Sequence, residues 1–429
     1  MTPLHSPSRT TWPGVRSATL LPRTILAWHD SPLAWLAFFL LWIFVFAIPW
    51  ENALVIPGFG TISRLIGLLA FPMGVLAILD SGRLRPVSLP LILMGLFVAW
   101  GGLSYWWTVD PESTSTSVIS WIQNLAMIWL IWELASRRER QLGLMQAYVL
   151  GTFVSAGDTV YSYLRGHTAS WERYSGAGLD PNELGLLLAL SLPLSFYLSL
   201  NEKHSRMVWI YRLQQVMALL AIGLTSSRGA LVATVVAFVY LALAFWKLTL
   251  QAKSAFLLLV PVGGICALAF LPETTWKRWG GLGSELQQGS WGSRKPIWSA
   301  GWEMFRENPV GGVGAGGFGT VAGRVLGQEV VAHNTFLSIL AEEGIVGFGL
   351  FLLFFLSLLL PVMRLRHLER DLWLVVLATW ATGVFTLTWE TRKPTWFLFG
   401  LLAAWSAAMI PSAKRRDTHS TLAPRAHSA

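Results

Sequence analysis

Apolar runs long enough to cross a membrane recur from Pro32 to Ile410, separated by short polar segments. A membrane-crossing helix needs about 17 to 25 predominantly apolar residues, and twelve stretches of this chain qualify. Nine lie between residues 32 and 271: Pro32–Trp50, Ile62–Leu79, Ser88–Trp107, Ser117–Leu134, Leu142–Leu164, Glu183–Leu200, Met207–Thr225, Gly229–Trp246 and Ser254–Leu271. The other three are Phe336–Met363, Asp371–Trp389 and Thr395–Ile410. Hydrocarbon offers no hydrogen-bond partner to a backbone amide, so such runs must be helical or close into a barrel. Their length selects the helix. Only 13% of the 429 residues are charged, against about 25% in soluble domains. The expected fold class is therefore an all-α polytopic integral membrane protein with about 12 transmembrane helices.

The formal net charge of +9 would suit a nucleic-acid partner if it were spread over a surface, but the cations sit in short clusters between apolar runs. Arg83/Arg85, Arg137/Arg138/Arg140, Lys203/Arg206, Lys247/Lys253 and Arg364/Arg366/Arg370 all fall on one side, which the positive-inside rule makes cytoplasmic. Both termini share that side. Residues 1–31 have arginines spread along them and lack the pattern of a cleaved signal, so they read as a cytoplasmic tail. Residues 411–429 read as a second, basic and Ser/Thr-rich one. Residues 32–271 are then transmembrane helices 1–9, residues 272–335 a large loop on the opposite face, and residues 336–410 helices 10–12. Many of the 24 tryptophans, Trp50, Trp106, Trp107, Trp389 and Trp396 among them, fall near span ends and read as interfacial anchors. The single cysteine, Cys266, lies in an apolar run, which excludes an intramolecular disulfide and a thiolate metal cluster.

The loop of residues 272–335 is too long and too rich in tryptophan to be a simple connector. Within it, SRKPIWSAGWEMFREN places Ile297, Trp298, Trp302 and Phe305 at helical spacing, which predicts an amphipathic helix on the membrane surface. The run NPVGGVGAGGFG that follows predicts a tightly turning backbone. No repeat relates the two halves of the chain.

Cations on the face opposite the basic loops run against the topological rule and so carry information. The main ones are Arg173, Arg228, Arg294, Lys295 and Arg392. Arg228 occupies a turn of almost no length between two spans, where a guanidinium either meets an anion or water or snorkels to lipid headgroups. Arg294 and Lys295 open the amphipathic helix, where helix amides also favour an anion; they serve equally as lipid anchors. His333 precedes a helix start that Asn334 or Thr335 can cap. The positive end of that helix favours neutral imidazole, the form able to take a proton, although a lone histidine is often structural. Asn182 and Glu183, at the start of another span, suit either sugar hydroxyls or a helix cap. Glu390 beside Arg392 and Lys393 reads as a local ion pair. With eight histidines and neither HExxH nor CxxC, nothing points to a metal site.

Four segments in order, RYSGAGLDPNELG, TSSRGALVA, SRKPIWSAGWEMFRENPVGGVGAGGF and HNTFLSILAEEGIVG, resemble the O-antigen ligase and polymerase superfamily. The resemblance implies a GT-C-like membrane enzyme of the bacterial inner membrane with its active site facing the periplasm. It implies a donor glycan on undecaprenyl diphosphate, and no metal, nucleotide or other cofactor. It carries diphosphate binding onto Arg228 and Arg294 and activation of the acceptor hydroxyl onto His333, with Arg173, Asn182, Lys295 and Asn334 as further candidate substrate contacts. The short loop before Glu183 and the lack of a large C-terminal domain favour a ligase, which transfers the glycan to lipid A-core, over the superfamily's polymerases and protein O-oligosaccharyltransferases. A flippase for lipid-linked oligosaccharide is the alternative from another class. Against it, ionisable residues within spans are few, Arg64, Asp158 and Arg212 being the main ones.

Overall fold

A computed structural model describes residues 31–409 other than 59, 170–171, 203, 247–249, 251–252, 254–268 and 282–293. Fourteen α-helices stand among the described residues. The first eight are α1 (Pro32–Ala47), α2 (Ile62–Ser81), α3 (Leu89–Leu103), α4 (Pro111–Leu134), α5 (Arg138–Leu164), α6 (Pro181–Asn201), α7 (Ser205–Thr225) and α8 (Arg228–Phe245). The loop segment carries α9 (Glu273–Gly280), α10 (Arg294–Glu307) and α11 (Phe318–Leu326), and the chain returns through α12 (Thr335–Val362), α13 (His367–Val384) and α14 (Lys393–Met409). The described strands form one two-residue hairpin, Val55–Ile56 with Gly60–Thr61, antiparallel with Val55 opposite Thr61.

Eight helical segments are long and apolar enough to cross a membrane, the last being all of α12. The protein is an all-α polytopic membrane protein. Three more of the anticipated spans are also helical: α5, α13 and α14. Helix α14 is short, at 17 residues, while α5 and α13 are less uniformly apolar, and α5 shows why. It buries Gln141, Gln146, Thr152, Ser155 and Thr159 among neighbouring helices rather than against lipid. Gln146 donates to the Tyr211 hydroxyl at 2.8 Å, and Gln214 of α7 donates to Thr152 and Ser191 at 3.1 and 2.8 Å. Polar groups paired in this way join helices inside a membrane. The anticipated span Ser254–Leu271, apart from its last residues, and the two tails lie outside the described residues, as does Cys266.

Helix α6 is the axis of the bundle. Every residue from Leu184 to Leu198 is buried, enclosed by α5, α7, α8 and α13. Glycines set two of these approaches: a side chain at Gly185 would strike Ala230 of α8, and one at Gly383 of α13 would strike Leu186. Leu68, Leu69, Leu76 and Leu79 of α2 and Val232, Val235 and Val239 of α8 are exposed. Such apolar outer surfaces are solvated by acyl chains.

The tryptophans depart from their reading as anchors. Trp106 is 79% exposed, but Trp389 and Trp396 are buried, with Trp121, Trp373, Trp380 and Trp405. The last part of the anticipated span Asp371–Trp389 is not helical either, since α13 stops at Val384. The segment that follows is stitched down by Trp121 Nε1 and Trp396 Nε1, which donate to the Glu390 carbonyl at 3.1 and 2.7 Å, and by Asn124, which donates to the Thr391 carbonyl at 3.1 Å. Indole rings here fill the core and hold a loop.

Helix α12 reads as one apolar run, yet it breaks at Gly344, whose φ of 63° and ψ of −167° are open essentially only to glycine. The glycine-rich segment after α10 fills the break. Val313 and Gly314 amides donate to the Ala341 and Glu342 carbonyls at 3.0 and 2.9 Å, and the Ile345 amide donates to the Pro309 carbonyl at 2.9 Å. The buried Glu342 carboxylate accepts from the Gly316 amide at 2.9 Å and the Phe318 amide at 3.3 Å. An unwound stretch is tolerated at membrane depth only when protein satisfies its backbone, and this loop does so.

Candidate active site

The face of the bundle carrying α9–α11 gathers most of the cations that the sequence singled out. Three segments build it: the loop before α6, the turn between α7 and α8, and the loop segment with the start of α12.

The α7–α8 turn is made by Ser226, whose φ of 50° closes α7, and by Ser227, whose hydroxyl caps α8 by accepting from the Ala230 amide at 3.2 Å. Arg228 is thereby the first residue of α8. Its Nε donates to the Arg278 carbonyl at 2.6 Å, joining it to α9. Gly229 permits close packing, because a side chain there would collide with Thr386.

Arg173 sits under this turn, only 4% exposed. Its Nε donates to the Thr225 carbonyl at 2.7 Å and its NH2 to Asn182 Oδ1 at 2.9 Å. The same Asn182 oxygen accepts from Ser227 Oγ at 2.9 Å. Burial, with Arg278 nearby, pulls the Arg173 guanidinium down to about 10, while Asp180 opposes the shift. It remains a cation at neutral pH. Asn182 does not cap its helix. Asp180 is the cap, accepting from the Asn182 amide at 2.8 Å, and the Asn182 side chain ties the loop to the turn instead.

His333 precedes α12 in the left-handed region, φ 48°, a conformation that histidine tolerates better than most side chains. Its amide donates to Thr388 Oγ1 at 2.8 Å. Asn334 caps α12, accepting from the Leu337 amide at 3.1 Å, and is buried. The His333 side chain is half-buried. Burial lowers its pKa, the positive charge of Arg294 lowers it further, and Asp180 acts the other way. Arg294 therefore stands within electrostatic reach of the imidazole.

It is brought there by α10, whose Trp298 donates through Nε1 to the Ala332 carbonyl at 3.1 Å and meets Phe385 edge-on. The buried face of α10 is Ile297, Ala300, Gly301 and Met304. The four apolar residues named from the sequence divide, Ile297 packing inward. Trp302 is 47% exposed and pairs with Phe305, whose ring centroid is 5.6 Å away. Gly301 lets α10 approach Phe318 and Leu337 closely, so helix packing, not apolar spacing alone, decides which face turns inward. Lys295 is exposed.

The Arg294 charge thus bears on His333, Arg228 donates to the Arg278 carbonyl, and Asp180 influences both Arg173 and His333. The expected local ion pair at Glu390 is not formed. Arg392 instead reaches Glu183 of α6 at 2.6 Å, Lys393 reaches Glu51 at 2.6 Å, and Glu390 turns inward to accept from Ser338 Oγ at 2.9 Å. Chain neighbours at a helix start diverge, and each finds its partner on another element. The sequence reading also passed over Arg278 and Glu342. Arg278, in WKRW, satisfies the same criterion that singled out Arg228, a cation on the loop face. Glu342 lay inside a quoted motif, and an acid within an apolar span was the available signal.

These elements offer a half-buried neutral base under the influence of Arg294, and a cluster of guanidiniums at the α7–α8 turn. They can take a proton from a hydroxyl and stabilise a multiply charged anion. Among the described residues, no three His, Cys, Asp or Glu side chains are grouped to hold a metal ion.

Residues 215–352 match the family model described as O-antigen ligase, which supports membership in the O-antigen ligase superfamily. The matched segment includes Arg228, Arg278, Arg294 and His333. No curated protein matches the chain.

Proposed function

We propose that this member of the O-antigen ligase superfamily transfers a glycan from undecaprenyl diphosphate to a sugar hydroxyl of lipid A-core, at the periplasmic face of the bacterial inner membrane. His333 takes the proton of the acceptor hydroxyl as that oxygen attacks the anomeric carbon. The bond from that carbon to the diphosphate breaks, and Arg228 and Arg294 stabilise the departing charge. A single displacement inverts the anomeric centre. The diphosphate is already an activated leaving group, so the proposed step needs no metal or nucleotide.

The observation that carries the reading is the setting of His333. It is a half-buried imidazole whose pKa burial and the Arg294 charge lower, held by its backbone to Thr388, inside the segment that matches the family. Asn334, as the cap of α12, supports that setting from beneath; Arg173 and Asn182 hold the turn that presents Arg228.

The test is transfer by purified protein in detergent, given an undecaprenyl-diphosphate glycan and lipid A-core with EDTA present. Product on lipid A-core is the expected result. Glycan lengthening would reassign the protein to the polymerases, and labelling of a Ser or Thr hydroxyl to the protein transferases. Transport of lipid-linked glycan across vesicles with no transfer would replace the reading by a flippase.

The pH dependence follows from the lowered His333 pKa. Neutral imidazole persists to lower pH than in a free histidine, so the rate holds at neutrality and falls only as pH drops through the lowered value. Arg294→Gln removes a positive neighbour and lets the pKa rise. Its rate is expected to begin falling at higher pH than wild type, whatever the loss in maximal rate. Initial rates from pH 4.5 to 8 check this, and an unchanged midpoint would separate Arg294 from His333.

A further inference from the structure

One turn collects three arginines. Arg173 donates to the carbonyl of Thr225 at 2.7 Å, Arg278 donates through Nε to the carbonyl of the next residue, Ser226, at 3.3 Å, and Arg228 follows two residues on. The first two guanidiniums therefore hold the carbonyls of successive residues, and the charge of Arg278 bears on Arg173. Their hydrogen bonds go to carbonyls and to the Asn182 amide oxygen rather than to carboxylates. Two guanidiniums that act on each other, with Asp180 the carboxylate that bears on Arg173, favour a further anion beside them.

The position of Arg278 is built, not incidental. Helix α9 is pinned to the turn by Thr275, a fully buried residue whose hydroxyl bonds Ser226 Oγ at 2.7 Å and the Gly223 carbonyl at 3.1 Å. Arg278 lies one turn further along the same helix. Its carbonyl accepts from Arg228 Nε at 2.6 Å, so the same residue orients Arg228 through its backbone and holds the turn through its own Nε. Its side chain is half-exposed and gives its Nε to the turn, which leaves the two terminal nitrogens of the fork to meet an anion.

We propose that Arg278 is a further donor-binding residue whose guanidinium contacts the phosphoryl oxygens of the lipid diphosphate, with Arg173 as the buried positioning residue behind it. This rests on the donor assigned above. Two phosphoryl groups present more acceptor oxygens than one guanidinium can meet, so a diphosphate is the anion for which adjacent forks are suited, and a monophosphate uses fewer of them.

The test uses the full-length protein in detergent and measures thermal stabilisation by undecaprenyl diphosphate, undecaprenyl monophosphate and phosphatidylglycerol. Wild type is expected to bind the diphosphate most tightly, and Arg278→Gln to weaken that binding about tenfold or more, the loss of one charge-assisted contact. Arg278→Cys in a Cys266→Ser background adds a control applied after folding: a positively charged methanethiosulfonate should restore affinity for the diphosphate and a neutral one should not. A purely structural role would not respond to that difference. Equal diphosphate binding by wild type and Arg278→Gln overturns the assignment and leaves the donor reading intact. Equal losses for diphosphate and phosphatidylglycerol make Arg278 a general headgroup anchor and also overturn it. Failure of wild type to bind undecaprenyl diphosphate removes the donor reading itself, and this assignment with it.

Discussion

Replacing His333 by alanine is expected to slow glycan transfer by about 100- to 10,000-fold, the range that a positioned general base contributes, while the protein stays folded. Its structural role runs mainly through the backbone: the amide donates to Thr388 Oγ1, and the left-handed φ of 48° closes the turn before α12. Alanine is less at ease in that conformation, so His333→Asn is the stricter variant. Asparagine accepts the left-handed region readily and keeps a polar side chain, but cannot act as a base near neutrality. Both variants should retain the wild-type unfolding temperature within a few degrees and lose transfer together. If His333→Asn transfers at the wild-type rate, His333 is structural and the base must be sought elsewhere.

The second large effect is on the fold. Gly344→Ala is expected to destabilise the protein by more than about 3 kcal/mol, because two costs add. The backbone conformation at Gly344 is essentially closed to residues with a Cβ, a strain of about 1–3 kcal/mol, and the added methyl would run into the Val310 carbonyl. Relief requires that the glycine-rich loop leave the break in α12, which strands the Ala341 and Glu342 carbonyls and the Ile345 amide at membrane depth. Gly349→Ala in the same helix is the control. A side chain there meets nothing within 4 Å, and alanine is the better helix former by about 1 kcal/mol. Tryptophan-monitored thermal unfolding in detergent should show a large fall for Gly344→Ala and little change for Gly349→Ala. Similar curves for the two would mean that the loop does not depend on the break.

The loop that fills this break also ends in the machinery proposed for transfer. It connects α10, which carries Arg294, to α11, which is anchored to α4 through the Thr320 hydroxyl donating to Asp110 Oδ2 at 2.6 Å. Trp107 Nε1 donates to the Gly311 carbonyl at 3.1 Å from the end of α3. The position of Arg294 relative to His333 is thus set by the bundle as well as by α10 itself.

What was legible in advance follows from local physics. Apolar length dictates helices in a medium without hydrogen-bond partners, so the spans α1–α4, α6–α8 and α12 stand out from their own sequences. Cations displaced from the basic side are equally visible, because a charge at a membrane boundary needs a reason that the local sequence does not supply; Arg228 and Arg294 stand out this way. Capping chemistry marked the start of α12 at Asn334 or Thr335, since the signal lies within a few residues, and the structure gives the cap to Asn334.

Only the tertiary structure decided the rest, because it depends on residues far apart in the chain. Periodicity placed an apolar face on α10, but close packing through Gly301 chose Ile297 and Met304 over Trp302. Adjacency suggested that Glu390 pairs with Arg392, but Glu183, more than 200 residues earlier, takes the arginine. The break in α12 is invisible in its apolar run because the partners that make it tolerable come from another segment. The same holds for Arg278: on its own a cation in a tryptophan-rich helix, it acquires a role only when Thr275 docks α9 onto the turn that holds Arg173 and Arg228. Sequence by itself determined the medium, the helices and the cations worth watching. Long-range packing and hydrogen bonding determined which of those cations share a site, since Coulomb and hydrogen-bond energies depend on distance in space and not on separation along the chain.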